Sequence, residues 1–338
     1  MIREAGLFLN PPDAFDPYLN LATEEALLQS LRPGQVILYL WQNRDTVVIG
    51  KHQNCYQECR VSLLEQEGGH LARRLSGGGA VFHDLGNLNY TFLAMRKDYD
   101  VAAQTGLILE AVRSFGIDAA ATGRNDIEAC GRKFSGNAYY KTSGACYQHG
   151  TLLVAADAAK MTGYLQVDRE KLQSKGVQSV RSRVIGLREL CPEITVGALR
   201  QRLAEVFLHH YAQLGAETGV LSDTAEAERI RQSAAALRSK YASPEWIYGQ
   251  RNQYAYEFGR RFAWGNVQIK LDVKDGCVAA ADVYTDSLLI EWPGKVRSAL
   301  TGVRFAPEPV SAALSQIQPD VEETDILRDV KILIEESM

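Results

Sequence analysis

The amino-acid sequence predicts an α+β fold in two parts, a larger mixed domain followed by a small C-terminal α+β domain. Three observations point to it. The chain has 338 residues, more than one hydrophobic core usually serves. Strand-like apolar runs gather before Val154, and the pattern turns more helical beyond Ala158. After Trp246 a second series of strands followed by helices begins, as a separate small α+β unit would.

In order along the chain, Asp16-Pro17 opens a helix that continues through Leu21, Glu24, Glu25, Leu28 and Leu31 and stops at Pro33-Gly34. Val36–Trp41 and Thr46–Gly50 read as buried strands joined by the turn-like Gln42-Asn43-Arg44-Asp45, and such neighbours are expected to pair as a hairpin. A short helical piece, Val61–Glu65, precedes two segments, His70–Arg74 and Ala80–Phe82, that bracket three glycines. The turn Asp84-Leu85-Gly86-Asn87 leads into a strand over Asn89–Ala94. Val101, Thr105, Ile108, Leu109 and Val112 fall at helical spacing and Phe115-Gly116 closes that helix, which is expected to lie over the sheet.

Gly123-Arg124-Asn125-Asp126 is a polar turn. Arg132–Tyr139 and Gln148–Val154 are strand-like with polar clusters at their starts, where sites tend to be built. The basic, serine-bearing stretch Lys175–Val184 has no periodicity and reads as a mobile loop. Helices are expected over Thr195–Gln213 and Glu226–Lys240, the second stopped by Ser243-Pro244. The domain reading is 1–245, a linker over 246–253, and 254–338. The last part holds strands over Tyr254–Ala263, Val267–Lys274 and Val278–Thr285, then two amphipathic helices ending near Glu335.

Composition excludes several function classes. A net charge of −4 and a pI near 5.9 argue against nucleic acid or a membrane surface as the main partner. No stretch approaches ~20 uninterrupted apolar residues and no apolar leader follows Met1, so the expectation is a soluble, cytoplasmic protein. Six thinly spread cysteines suit reduced thiols better than a disulfide framework. Cys55 and Cys59 lack a second Cys/His pair at ligand spacing, which argues against zinc.

The densest chemistry lies in Arg73-Arg74-Leu75-Ser76-Gly77-Gly78-Gly79-Ala80-Val81-Phe82-His83-Asp84. Consecutive glycines let main-chain N–H groups turn toward one anion, and the arginines add guanidinium charge beside them. A solvated surface turn would carry the same glycines, but it has no reason to run straight into Ala80-Val81-Phe82. Further candidates are scattered: Asn125 and Asp126, Lys133, and His149-Gly150. Only the fold can gather them.

The Arg-Arg-x-Ser-Gly-Gly-Gly-Ala-Val-Phe-His-Asp run resembles the signature of lipoate-protein ligases. The resemblance extends to Thr46-Val47-Val48-Ile49-Gly50, Gly123-Arg124-Asn125-Asp126, Arg132-Lys133 with Ser135-Gly136, His149-Gly150-Thr151-Leu152-Leu153, and Ser179-Val180-Arg181-Ser182-Arg183-Val184. Several ordered motifs are far more specific than one glycine loop. The resemblance implies the mixed β-sheet flanked by helices that this family shares with biotin-protein ligases and class II synthetases, plus the family's small C-terminal domain. It implies two steps: ATP and free lipoate give lipoyl-AMP and pyrophosphate, and a lysine of a carrier domain then takes the acyl group. The implied partners are the lipoyl domains of 2-oxoacid dehydrogenase E2 subunits or the glycine-cleavage H protein.

On the same resemblance, Lys133 is the central cation between the lipoate carboxyl and the α-phosphate. Arg74, Ser76, Gly77, Gly78, Gly79, Ala80, Val81 and Phe82 bind the nucleotide. Asn125 and Asp126 either position Mg²⁺ or cap a turn. His149, beside Gly150, either lines the lipoate pocket or is a core histidine, and Ser182 and Arg183 sit on a loop over the adenylate. Two alternatives stay open. One is an ATP-independent lipoyl or octanoyl transferase with a cysteine nucleophile, for which Cys130 and Cys146 are the candidates. The other is a non-catalytic protein that binds carrier domains.

Overall fold

The structure is a computed structural model. It describes residues 2–11, 13–123, 125–155, 157–166, 183–249, 254 and 256–338. The chain forms two compact units. The first comprises Met1–Val48, Cys59–Arg73 and Val81–Ile247, and the second comprises Ile49–Glu58, Arg74–Ala80 and Tyr248–Met338.

Eleven strands precede the C-terminal region among the described residues: β1 (Glu4–Leu9), β2 (Gln35–Trp41), β3 (Thr46–Ile49), β4 (His70–Arg73), β5 (Val81–His83), β6 (Asn87–Met95), β7 (Ala119–Thr122), β8 (Asp126–Ala129), β9 (Arg132–Lys141), β10 (Ala145–Leu153) and β11 (Glu217–Val220). Eight of them form one mixed sheet in the order β11-β1-β2-β6-β10-β9-β8-β7. The β11-β1-β2 end is parallel, and the ladders from β2 to β7 are antiparallel. β2 is buried along its whole length, which explains why Gln35–Trp41 reads as a continuous apolar run and not as an alternating one.

On one face, Val36, Leu38, Leu40, Tyr90 and Phe92 pack with Leu107, Ile108 and Val112 of the helix Val101–Arg113 and with Leu203 and Phe207 of Val196–Gln213. The opposite face meets the helix Pro17–Ser30, whose Glu24 is hydrogen bonded to Thr91 of β6 and His149 of β10. That helix starts where the sequence places it. Pro17 is preset for the first turn, and the Asp16 carboxylate accepts from the N–H groups of Tyr18 at 2.9 Å and Leu19 at 3.3 Å. Asp16→Ala is expected to destabilise the protein by about 1 kcal/mol, and Asp16→Asn to recover most of that loss. The midpoint of urea unfolding checks both.

The hairpin expected between β2 and β3 does not form. β2 pairs with β1 and β6, while β3 joins a separate three-stranded sheet in the order β4-β3-β5. The connection is pinned from outside the two strands: Asn43 is buried, accepts from Asn20 Nδ2 at 2.9 Å and contacts His83 Nδ1 at 3.1 Å. Turn chemistry alone therefore misjudges the pairing partner.

The second unit carries an antiparallel sheet of β12 (Tyr256–Phe262), β13 (Gly265–Lys274) and β14 (Cys277–Thr285). Val267, Ile269, Leu271 and Val283 pack against Trp292, Val296, Val330 and Ile334. Three helices follow, Trp292–Leu300, Pro307–Ser315 and Thr324–Ser337, where two are expected. Gly302 at φ 85° and Pro307 at a first-turn position break what reads as one amphipathic stretch.

Candidate active site

Residues paired across an antiparallel ladder share a face, and successive residues of a strand alternate. Asp126 pairs with Gly136, Ala138 with His149, His149 with Thr91, and Thr91 with Tyr39. One row thus crosses β8, β9, β10, β6 and β2 on the face met by the helix Pro17–Ser30. Lys133 joins the row through a register shift at Ile127/Glu128. Its side chain lies along Gly136, where a Cβ would stand 2.5 Å from Nζ and 2.7 Å from Cε.

Lys133 Nζ donates to Asp126 Oδ1 at 2.7 Å, and Arg183 Nη2 donates to Asp126 Oδ2 at 2.9 Å. The segment after 182 is also tied to β9 through its backbone, since the Ile185 N–H donates to Lys133 O at 2.9 Å and Val184 bridges Lys133 in parallel. Among the described residues this cluster brings two cations onto one carboxylate. A compact ammonium beside a guanidinium is suited to hold carboxylate and phosphate oxygens together.

His149 is buried, with Nδ1 2.8 Å from Glu24 Oε1, and that same oxygen accepts from Thr91 Oγ1 at 2.7 Å. It shares the face of Lys133 with the small residues Gly136 and Ala138 between them. Gly150 is structural: a Cβ there would meet Tyr90 Oη at 2.4 Å and Gly136 O at 2.7 Å. Tyr90 Oη donates to Asn137 Oδ1, which also accepts from Gln148 Nε2 at 2.9 Å. Burial pushes the Tyr90 phenol well above its ordinary value, so it acts as a neutral donor.

Asn125 pins the polar turn to β9. Its Nδ2 donates to Asn137 O at 2.8 Å, and its own carbonyl accepts from the Asn137 N–H at 2.8 Å. These bonds fix the turn on β9. No group of three or more His, Cys, Asp or Glu able to hold a metal occurs among the described residues. Asp126, with a cation on each oxygen, does not fit a resident Mg²⁺, because those contacts already use the charge a divalent ion would need.

The glycine loop belongs to the second unit. Arg74 is buried and turned inward: Nε donates to Ser76 Oγ at 3.0 Å, and Nη2 donates to Gly77 O at 2.6 Å and Gly79 O at 2.8 Å. Ser76 O accepts from the Lys51 N–H at 2.9 Å. Gly78, at φ 88°, gives its N–H to Ser287 O at 2.9 Å. The loop is therefore shaped by main chain as expected, with Arg74 clamping it from within. Ala80 follows, partly exposed. In the first unit, Val81 and Phe82 pair with Val48 and Val47. Ser182 lies outside the described residues.

The cysteine candidates separate. Cys146 pairs with Ala94 of the helix-covered core, on the face opposite Lys133, and burial pushes its thiol up, away from thiolate. Cys130 is exposed in the β8–β9 turn at φ 50°. Sequence reasoning missed Glu24 as the partner of His149 and Asn137 as a hub. Glu24 reads as one more polar position of its helix and Asn137 as one polar residue inside a strand, so no local signal marks either.

Residues 16–208 match the family model described as lipoyl protein ligase A/B catalytic domain, and residues 251–329 match bacterial lipoate protein ligase C-terminus. The crystal structure of P. falciparum LipL1 in complex with lipoate is similar with a TM-score of 0.85 and 25% identity, covering 98% of this chain and 99% of that one. A bi-partite lipoate protein ligase from Thermoplasma acidophilum, studied with its E2 lipoyl domain, is similar with a TM-score of 0.62 and 27% identity over 75% of this chain and 100% of that one. A crystal structure of lipoate-protein ligase A bound with ATP gives 0.60 and 27% over 74% of this chain and 99% of that one. With a catalytic-domain model spanning more than half its length and a C-terminal model beyond it, the chain belongs to the lipoate-protein ligases, enzymes that join lipoate to protein.

Proposed function

We propose that this enzyme activates free lipoate, or octanoate, with ATP and transfers the acyl group to a lysine of a lipoyl carrier domain. In the first step a carboxylate oxygen attacks the α-phosphorus, the bond to the β-phosphate breaks, and pyrophosphate leaves with lipoyl-AMP formed. In the second, the carrier lysine amine attacks the acyl carbon, AMP departs with the bonding pair, and the amide nitrogen loses a proton. The observation that carries this is Lys133, held beside Arg183 at one end of a sheet face whose next residues are small and which holds His149 farther along the same face.

Both steps bring anionic oxygens together, and a preorganised ammonium is worth most where that charge concentrates. The acyl chain is placed along Gly136 and Ala138 toward His149. Ser76 to Phe82 supply main-chain groups for the nucleotide, with Arg74 and Ser76 setting the loop's shape. A phosphate at the Gly78 N–H takes the place of Ser287 O. Mg²⁺ enters with the phosphates of ATP as part of that substrate, and it supplies charge neutralisation there.

The ATP-bound ligase A supports the nucleotide, lipoate-bound LipL1 supports the acid, and the T. acidophilum ligase with its E2 lipoyl domain supports the carrier. By the same reasoning the carriers are E2 lipoyl domains of 2-oxoacid dehydrogenases or the glycine-cleavage H protein. Among the described residues no helix is long and apolar enough to cross a membrane, and we place the enzyme in the cytoplasm. The transferase alternative needs a thiolate near Lys133; Cys146 lies on the other face with a raised pKa. A mass assay with apo carrier domain, ATP, Mg²⁺ and lipoate is expected to show acylation with pyrophosphate release, and none when ATP is left out. Acyl transfer from an acylated carrier without ATP would instead establish the transferase.

A further inference from the structure

We propose that Asp126 is a positioning residue that holds Lys133 and Arg183 as one pair and occupies, before substrate arrives, the place in their field that the carboxylate of the acid takes. The inference rests on the activity proposed above and gives Asp126 a role in it that is not metal binding.

The geometry fixes both halves of the claim. Each Asp126 oxygen accepts from a different cation, Lys133 at 2.7 Å and Arg183 at 2.9 Å, so the carboxylate spaces the two donors as a bidentate bridge. The carboxylate itself is held by its strand: Asp126 pairs with Gly136, the residue over which the Lys133 side chain runs, and the preceding Asn125 is locked to Asn137 by three hydrogen bonds. Arg183 is joined to the same spot through Val184 and Ile185, which lie along Lys133. A carboxylate fixed on both sides sets where the two cations stand.

The same carboxylate also competes. An incoming acid presents the same group to the same donors, and it meets two cations whose charge the Asp126 carboxylate already offsets. Asp126 therefore weakens ground-state binding of the acid while keeping Lys133 aligned for the charge that develops at phosphorus. Tight binding of the acid alone gains no rate, whereas alignment does.

The two effects move in opposite directions in Asp126→Asn, which keeps size and one acceptor oxygen while losing the charge. Calorimetry with lipoate in chelator-containing, ATP-free buffer is expected to show about fivefold tighter binding by the variant, with lipoamide, which lacks the carboxylate, bound equally by both proteins. The adenylation rate at saturating substrates is expected to fall about tenfold to hundredfold, with the Mg²⁺ concentration for half-maximal rate unchanged. Asp126→Asn combined with Arg183→Met should lose less than the sum of the two single losses, as residues acting as one unit do. Equal lipoate affinity in the two proteins, or a parallel shift for lipoate and lipoamide, overturns the proposal. So does a rate restored by raising Mg²⁺, which would make Asp126 a metal ligand. Absence of ATP-dependent turnover in the unaltered enzyme counts against the proposed activity and leaves the acid-against-amide comparison standing.

Discussion

Lys133→Ala is expected to lower lipoate-dependent pyrophosphate release by about 10²–10³, or roughly 3–4 kcal/mol of transition-state stabilisation. The lysine is the ammonium placed beside Arg183 on the sheet face that carries Gly136, Ala138 and His149. Alanine deletes that charge but leaves Asp126 with Arg183 at 2.9 Å, so the remaining carboxylate keeps a cationic partner and the fold should be little affected. Stopped-flow or single-turnover measurement should show kcat and kcat/KM falling together, the mark of an interaction strongest in the transition state. A rise in KM with kcat intact would reassign Lys133 to simple substrate binding. Lys133→Arg is expected to fail as well, because a planar fork is wider than an ammonium and the path over Gly136 is narrow. Supplying preformed lipoyl-AMP to Lys133→Ala separates the two steps: transfer that is also slowed places the ammonium at the acyl carbonyl as well as at phosphorus.

Much of this site is legible in the sequence because motifs are local and folds gather them by rule. The Asp16-Pro17 start, the Val101–Arg113 helix and β6, β9 and β10 stand where periodicity and caps put them. What was hidden depends on partners far along the chain. β1 and β11 pair in parallel across more than two hundred residues, and β11 is exposed at all four positions, so no apolar pattern betrays it. β7 is Ala119-Ala120-Ala121-Thr122, which favours no strand on its own. β3 leaves β2 because Asn43 is held by Asn20 and His83, contacts that no turn rule contains. At the site, the partners of two charged residues were hidden as well. Arg74 reads as a cation beside a glycine loop, and the sequence does not reveal that its Nη2 donates to the carbonyls of Gly77 and Gly79. Asp126 reads as either a metal carboxylate or a turn cap, and its contacts with Lys133 and Arg183 are not legible in the sequence. In both cases residue type is informative and direction is not, since direction is set by partners that the fold brings from elsewhere in the chain.

The strictest test of the lysine's path uses two glycines that a sequence would treat alike. Gly136 and Gly150 face each other's strands, and each leaves no room for a methyl group. At Gly136 the obstructing atoms are Nζ and Cε of Lys133, the far end of a flexible side chain. That end can move aside, so Gly136→Ala is expected to leave the melting temperature nearly unchanged. The displaced ammonium then misses its place by about 1 Å, a shift that costs on the order of 10² in rate. At Gly150 the obstructing atoms are a backbone carbonyl, Gly136 O, and Tyr90 Oη, which is fixed by its bond to Asn137. Neither can yield without moving a central strand, so Gly150→Ala is expected to cost about 1–3 kcal/mol of stability, as overpacking in a filled core does. Activity per folded molecule should suffer less there than in Gly136→Ala. Thermal unfolding and adenylation rate measured on both variants give the comparison. If Gly136→Ala lost stability while retaining its rate, the lysine would not run over that glycine in the working enzyme, and the row from Asp126 to His149 would have to be redrawn without it.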